Sequence, residues 1–332
     1  MLMITQNNYA MKKITLILMA AFLVIAAGSC NKDETPNNNN NNNNNVNTTN
    51  DGVYTPGQKI LYCYEWNDWL DSQVKTENWN WNGTKLLSID HVWDDGTVRW
   101  SENYDYQGDR MVRVTNTSNE YTEFSYNGSQ LAVVTFCYDY QPEIVITFSY
   151  GSDNRVSQAK IKVYDNKALD KDYARLIKAF VPKYYLDRIE KHGGEKEDID
   201  EYTVKFTWVG ENLSGVTTTA MASGSNFSVT CVDTYSFTYD GKNNPKKGLL
   251  GLYTFEEDMN NVAIYYSKNN LLNCHDTYKE YGYEEGEYFE EEESDDTSFS
   301  YIYDAGGFPT QINETVSYSG YSYSNTYFYE YQ

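Results

Sequence analysis

Three histidines, His91, His192 and His275, are the natural general bases of this 332-residue chain, and they are scattered along it. Cys274 and His275 form an adjacent pair of soft metal ligands. Neighbouring residues on a strand point to opposite faces, so this pair cannot close a zinc site without partners that the sequence does not identify. There is no His-Glu-x-x-His helix, Gly-x-Ser-x-Gly elbow, phosphate-binding glycine loop or dinucleotide fingerprint. The sequence therefore designates no catalytic residue, no metal ligand and no cofactor. Carboxylates are numerous enough to pair by chance. Asp94-Asp95 reads as a turn with Gly96, and Asp198, Asp200 and Glu201 as solvated loop before a strand. The densest charge run is Glu284, Glu285, Glu287, Glu290 to Glu293, Asp295 and Asp296, which reads as a solvated, self-repelling loop. Weak calcium binding is its functional reading, because oxygen-rich clusters suit hard cations, although the spacing of an EF-hand loop is missing.

Aromatic residues supply the other candidate chemistry. Trp66, Trp69, Trp79 and Trp81, with Trp93 and Trp100, form a platform on which sugars or peptides could stack, since planar rings give broad contact at low entropic cost. The competing reading is that a period-2 pattern turns the same rings into the core of the first hairpins.

The elements that must position these residues announce themselves as a recurring phrase: an aromatic, one residue, an aromatic, a turn with glycine or asparagine, then an aliphatic strand. It occurs as Trp79-Asn80-Trp81-Asn82-Gly83, Tyr104-Asp105-Tyr106-Gln107-Gly108, Phe124-Ser125-Tyr126-Asn127-Gly128 and Phe148-Ser149-Tyr150-Gly151. Later copies are Phe206-Thr207-Trp208-Val209-Gly210, Phe237-Thr238-Tyr239-Asp240-Gly241 and Tyr301-Ile302-Tyr303-Asp304, at irregular spacing. The early period of roughly 20 to 25 residues is about one two-stranded hairpin. In one such unit, alternation puts Thr122, Phe124 and Tyr126 on one face and Tyr121, Glu123 and Ser125 on the other. Asn127-Gly128 then supplies the positive φ angles of a tight turn, Leu131 to Tyr138 runs back, and Gln141-Pro142-Glu143 turns the chain again. Strands joined so tightly are antiparallel neighbours. One stretch departs from this pattern. From residue 167 to 192, Leu169, Tyr173, Leu176, Ile177 and Phe180 recur at helical spacing, so a helix kinked at Pro182 and stopped by Gly193-Gly194 is predicted there, covering an edge or mouth of the sheet.

The N-terminal part concerns location. Lys12 and Lys13 precede an apolar run from Ile14 to Ala27, followed by Gly28, Ser29 and Cys30, which is the layout of a secretory signal. At about 14 residues the run is shorter than the roughly 20 that a membrane-spanning helix needs. Translation starting at Met11 would give the signal its basic opening. Ala27 to Cys30 resembles the lipobox of bacterial lipoproteins, which implies that Cys30 is acylated and becomes the mature N-terminus. Lys32-Asp33-Glu34 resembles the export signal that takes Bacteroidetes-type lipoproteins to the outer face of the outer membrane. Residues 30–51 then form a tether, dominated by the asparagine tract Asn37 to Asn45, which has nothing apolar to bury. About 20 residues of coil span roughly 25 Å.

Removal of the signal takes away Lys12 and Lys13 and no acid, leaving 24 basic against 48 acidic residues, a charge of −24. That balance disfavours nucleic acid and anionic lipid as partners. The 33 tyrosines, 13 phenylalanines and 7 tryptophans provide the apolar area for a core. Cys63, Cys137, Cys231 and Cys274 permit two disulfides in an exported protein, or buried thiols, since Cys137 and Cys231 lie in aliphatic runs.

Together, the lipobox, the polar tether, the aromatic hairpins, Tyr239-Asp240-Gly241-Lys242-Asn243-Asn244-Pro245 and Tyr301-Ile302-Tyr303-Asp304-Ala305-Gly306-Gly307-Phe308-Pro309-Thr310 resemble Bacteroidetes-type outer-membrane lipoproteins of unknown function with a porin-like β domain. The resemblance implies a long, curved antiparallel sheet and carries no catalytic residues. The expected organisation is a signal peptide over 1–29, the lipidated tether over 30–51, and one all-β domain over 52–332, a meander forming a curved sheet or barrel with a helical insertion. Alternating strands do not reveal which face is turned outward, but a lipid anchor argues against a barrel inserted in the membrane. The expected function is a surface-displayed binding module for glycan or envelope protein. An accessory subunit of an outer-membrane complex is the alternative, and a hydrolase a distant third.

Overall fold

The computed structural model describes residues 59–117, 120–164, 200–223, 226–247, 259–318 and 321–332. The signal peptide, Cys30, the tether and the helix expected over 167–192 lie outside these residues. Sixteen described strands run in chain order. The first eight are β1 (Ile60–Asn67), β2 (Ser72–Asn82), β3 (Lys85–Val92), β4 (Val98–Gln107), β5 (Arg110–Thr117), β6 (Glu120–Asn127), β7 (Gln130–Tyr138) and β8 (Gln141–Tyr150). The second eight are β9 (Val156–Val163), β10 (Asp200–Val209), β11 (Asn212–Ser223), β12 (Phe227–Asn243), β13 (Asn269–Glu284), β14 (Glu287–Tyr303), β15 (Pro309–Tyr318) and β16 (Tyr321–Tyr331). Each pairs antiparallel with its chain neighbours, and β16 pairs with β1, so the meander expected from the hairpins closes into a barrel. A single short helix, α1 (Met259–Tyr266), is present among the described residues.

The recurring phrase is a structural unit. At its second aromatic each hairpin slips register by one residue: between Asn80 and Trp81, Asp105 and Tyr106, Ser125 and Tyr126, Ser149 and Tyr150, Thr207 and Trp208, and Thr238 and Tyr239. Such a bulge bends the strand and increases its twist, which helps a sheet to close. The aromatic reaches back to a carbonyl on the preceding strand. Trp81 donates to Ile60 O at 2.8 Å, Tyr106 to Leu86 O at 3.0 Å, Tyr126 to Met111 O at 2.8 Å and Tyr150 to Leu131 O at 2.7 Å. Trp208 donates to Val156 O at 2.7 Å, and Tyr239 and Tyr331 donate to Leu213 and Pro309 O at 2.6 Å. On β14 the slip falls between Ile302 and Tyr303, and the lock is made by the first aromatic of the phrase, Tyr301, which donates to Leu271 O at 2.6 Å. Every even strand carries this lock. The seam repeats the unit without a turn: Tyr331 faces Ile60 across the same slip, and the Gln332 amide donates to Lys59 O at 2.9 Å. The irregular spacing of the later phrases thus conceals an eightfold repeat. Tyr126→Phe keeps the ring and removes one lock, and should lower unfolding stability by about 1 kcal/mol in urea titrations; an unchanged midpoint would show that the bond contributes nothing.

Alternation decides which face is inside. Ile89, Phe124, Ile146, Ala159, Ile161, Val204 and Phe206 are buried. Helix α1 is buried too, and Tyr266 packs its ring against Phe206 and Trp208 of β10 at centroid distances of 6.0 and 5.9 Å. Phe206 shares its strand face with the buried Tyr202 and Val204, so the helix packs on the buried face of a closed sheet and lies in the lumen. Asn244 holds its C-terminal end, donating to Ile264 O at 2.6 Å and Ser267 O at 2.9 Å. The apolar face therefore points inward. The outer wall is polar: Asp90, Glu123, Lys160, Lys205 and Lys279 each sit between two buried residues and project the other way. Asn80 donates to Asp90 at 2.9 Å, Ser101 donates to Asp90 at 2.6 Å, and Arg113 pairs with Glu123 across the outer face. A membrane-spanning barrel has the opposite arrangement, with an apolar outer band on which each Arg or Lys at mid-depth costs about 2–4 kcal/mol.

Three local expectations are corrected, the first being that Asp200 and Glu201, read as loop, already pair within β10. The acidic run is not a loop: Glu284 ends β13, Glu285 and Gly286 turn the chain at φ 53° and 89°, and Glu287 to Asp296 run along β14. Cross-strand pairing of Tyr283 with Tyr288, whose rings lie 5.5 Å apart, and of Lys279 with Glu290 at 2.5 Å holds the hairpin against its charge. The turn after β7 is made by Asp139 and Tyr140, at φ 46° and 63°, and Gln141-Pro142-Glu143 already belong to β8. Residues without glycine's freedom sit here in the left-handed region, which hydrophobic patterning gave no reason to expect.

Candidate functional site

Two features carry unusual chemistry, one inside the wall and one at its rim. The inner one is built on β2, β3 and β4, where alternation turns Glu77, His91 and Glu102 into the lumen and all three are buried. Glu77 faces His91 across one strand pair, and His91 faces Trp100 across the next. The imidazole Nε2 lies 3.1 Å from Glu102 Oε1 and Nδ1 lies 3.5 Å from Glu77 Oε1. Trp79 Nε1 donates to Glu77 Oε2 at 3.0 Å, the Tyr104 hydroxyl donates to Glu102, and the Trp100 ring stacks on the imidazole at 3.7 Å. The sequence offered His91 as a candidate base but not its partners, because Glu77 and Glu102 come from separate strands.

This carboxylate–imidazole–carboxylate chain can hold and relay a proton. Both ring nitrogens are turned to carboxylates, so the imidazole is not offered to a hydroxyl or thiol nucleophile. Nearby Cys63 has its thiol pushed well above the ordinary range by burial and by Glu77, which leaves it a poor nucleophile. All four barrel cysteines are buried as reduced thiols. Among the described residues no group of His, Cys, Asp or Glu is arranged to hold a metal ion.

Burial, reinforced by Glu102, pushes the Glu77 carboxyl up to about 7, against the lowering effect of His91. Glu65 on β1 is likewise raised to about 7, by burial and by Glu77, Glu314 and Asp94. A carboxyl raised in the folded state favours folding when protonated, and this contribution is lost as pH climbs from about 4.5, its unfolded value, through about 7. For Glu77, which is 2% exposed, the shift corresponds to about 3 kcal/mol. Unfolding stability should therefore fall across that window and Glu77→Gln should flatten the fall, with Glu65 supplying the residue; a slope identical in the variant would contradict it.

The outer feature is a rim. The chain enters β1 and leaves β16 at one end of the barrel, while the turns 68–71, 93–97, 139–140 and 285–286 lie at the far end. Of the sixteen large apolar side chains exposed among the described residues, thirteen lie in far-end turns or within four residues of one; Leu87, Val209 and Ile302 are the exceptions. Trp69, at 97%, is the most exposed, followed at this end by Tyr321 and by Tyr140 at 74%. The structure thus divides the predicted platform. Trp66 and Trp69 stand on the rim with Trp93, whereas Trp79 is 3% exposed and Trp81 is half-buried against Ile60 O. Tyr140, Tyr283, Tyr288 and Tyr321 join the rim without a sequence signal, because alternation alone does not tell a far-end turn from a near-end one.

No family model matches the chain, and no curated protein matches it. Among solved structures, a porin-like protein from Bacteroides uniformis is similar over 82% of this chain and 96% of its own, at 12% identity and a TM-score of 0.32. At that level of similarity nothing about activity passes from one chain to the other.

Proposed function

We propose that this protein is a lipid-anchored envelope lipoprotein that displays a water-facing barrel as a binding module, with its ligand received at the far-end rim. The observation that carries the reading is the gathering of exposed aromatic and apolar side chains at the end opposite to where the chain enters. Cys30 lies upstream of Ile60, so a tether from an acylated Cys30 joins the entry end and leaves the rim facing away from the lipid. The polar outer wall supports an anchor made by lipid rather than by strands. His91, held by two carboxylates, supports binding rather than turnover. Lys32, Asp33 and Glu34 support display on the outer face.

An array of envelope glycans and envelope proteins tests this reading. Retention without turnover, lost when Trp66, Trp69, Trp93 and Tyr140 are replaced together by serine, is the expected result. Retention unaffected by those changes, or removed instead by replacing Leu87, Val209 and Ile302 at the entry end, would overturn it. Protease treatment of intact cells should remove the barrel from the wild-type chain and spare it when Lys32, Asp33 and Glu34 are alanine.

A further inference from the structure

Two rim turns are preformed and side by side. In the first, Asn67 Oδ1 accepts the Trp69 amide at 3.0 Å and the Leu70 amide at 3.1 Å, so Trp69 is held out by a fixed turn. In the second, Trp93 N donates to Thr97 O at 2.8 Å, Gly96 N to Trp93 O at 2.7 Å, and Thr97 N to Asp95 Oδ1 at 2.9 Å. The Arg99 guanidinium lies 4.4 Å over the Trp93 ring, covering one face of an indole that remains 51% exposed. The turns join β1 to β2 and β3 to β4, two strand spacings apart, or about 10 Å. Indoles carried on turns at that spacing can be bridged by one short oligosaccharide segment.

The surroundings choose among ligand classes. Asp68, Asp71 and Asp94 flank the indoles. Cores of protein interfaces are depleted of such charges, because their burial leaves carboxylates without water. Sugar hydroxyls can donate to carboxylates while the sugar's C–H faces lie on the rings. Anionic glycans are opposed by the same aspartates and by a chain of net charge −22, and Arg99 is already engaged on Trp93. We propose that the module binds a neutral polysaccharide across Trp69 and Trp93. The inference rests on the binding-module reading and names its ligand class.

Native electrophoresis of the whole protein through gels containing a neutral polysaccharide, with amylopectin, xylan, laminarin and galactomannan as separate probes and polygalacturonate as the anionic arm, tests it. At least one neutral probe should retard the protein, and polygalacturonate should not. Trp69→Ala and Trp93→Ala should each weaken retardation about ten-fold or more with an unchanged unfolding curve, while Val209→Ser at the entry end should leave it intact. Absence of retardation by every neutral probe, retardation by polygalacturonate alone, or retardation indifferent to both tryptophans would overturn the proposal. Binding of an envelope protein through the rim without any neutral polysaccharide would sink this inference and leave the binding module standing; rim variants that alter no binding of any kind would sink both.

Discussion

Gly282→Ala should destabilise the barrel by about 3 kcal/mol, the upper range for overpacking, although it adds only one methyl group. Gly282 lies on β13 opposite Val229 of β12. A Cβ there would stand 2.0 Å from Ser228 O and 2.9 Å from Val229 Cα, and both are backbone atoms that cannot swing aside as a side-chain end would. The extended hairpin of β12, β13 and β14 would have to open, and it carries Tyr281, Tyr283 and Tyr288 of the rim. Chemical denaturation would show the loss. An alanine chain as stable as the parent would mean that the two strands do not approach so closely.

Ile146→Lys should cost more than about 4 kcal/mol, because it places an unpaired charge in the lumen. Ile146 is 0% exposed and lies between Val134 of β7 and Ile161 of β9 across the inner face. Thr147→Lys, one residue along and on the outer face, is the matched control and should cost no more than about 1 kcal/mol, the scale of the like-charge pair it makes with Lys160. The two lysines together read the orientation of the wall. Tolerance of lysine at 146 with loss at 147 would reverse it.

Much of the architecture was legible because local signals agreed with one another. The faces assigned to Thr122, Phe124 and Tyr126 against Tyr121, Glu123 and Ser125 are those of β6, and Asp94-Asp95-Gly96 does make a turn. The phrase was legible as a hairpin but not as a lock, because the carbonyl that Tyr126 reaches lies 15 residues earlier and is exposed to it by a bulge with no sequence signature. The sense of the wall was not legible, since period-2 alternation is the same for a barrel turned inside out. Composition misled over Glu284 to Asp296, where one cross-strand aromatic pair and one Lys–Glu pair outweigh like-charge repulsion screened on an exposed hairpin. The division of the tryptophans follows from the same register. Trp79 alternates into the lumen, whereas Trp69 sits in a turn that Asn67 fixes outward.

Tyr331 locks onto Pro309 and faces Ile60 through the slip that every turn-linked pair at that end uses. The seam is therefore built from the same chemistry as the other pairs, and among the described strands no unpaired edge is left to recruit another chain.

The apolar face of this barrel lines its lumen and the polar face meets water. Phase partition of a chain beginning at Asn31, which carries neither the apolar run Ile14 to Ala27 nor an acylated cysteine, reads this orientation most directly. The protein should remain in the aqueous phase of a detergent cloud-point separation with its β spectrum intact and no detergent required for solubility; recovery in the detergent-rich phase, or aggregation once detergent is withdrawn, would contradict the account.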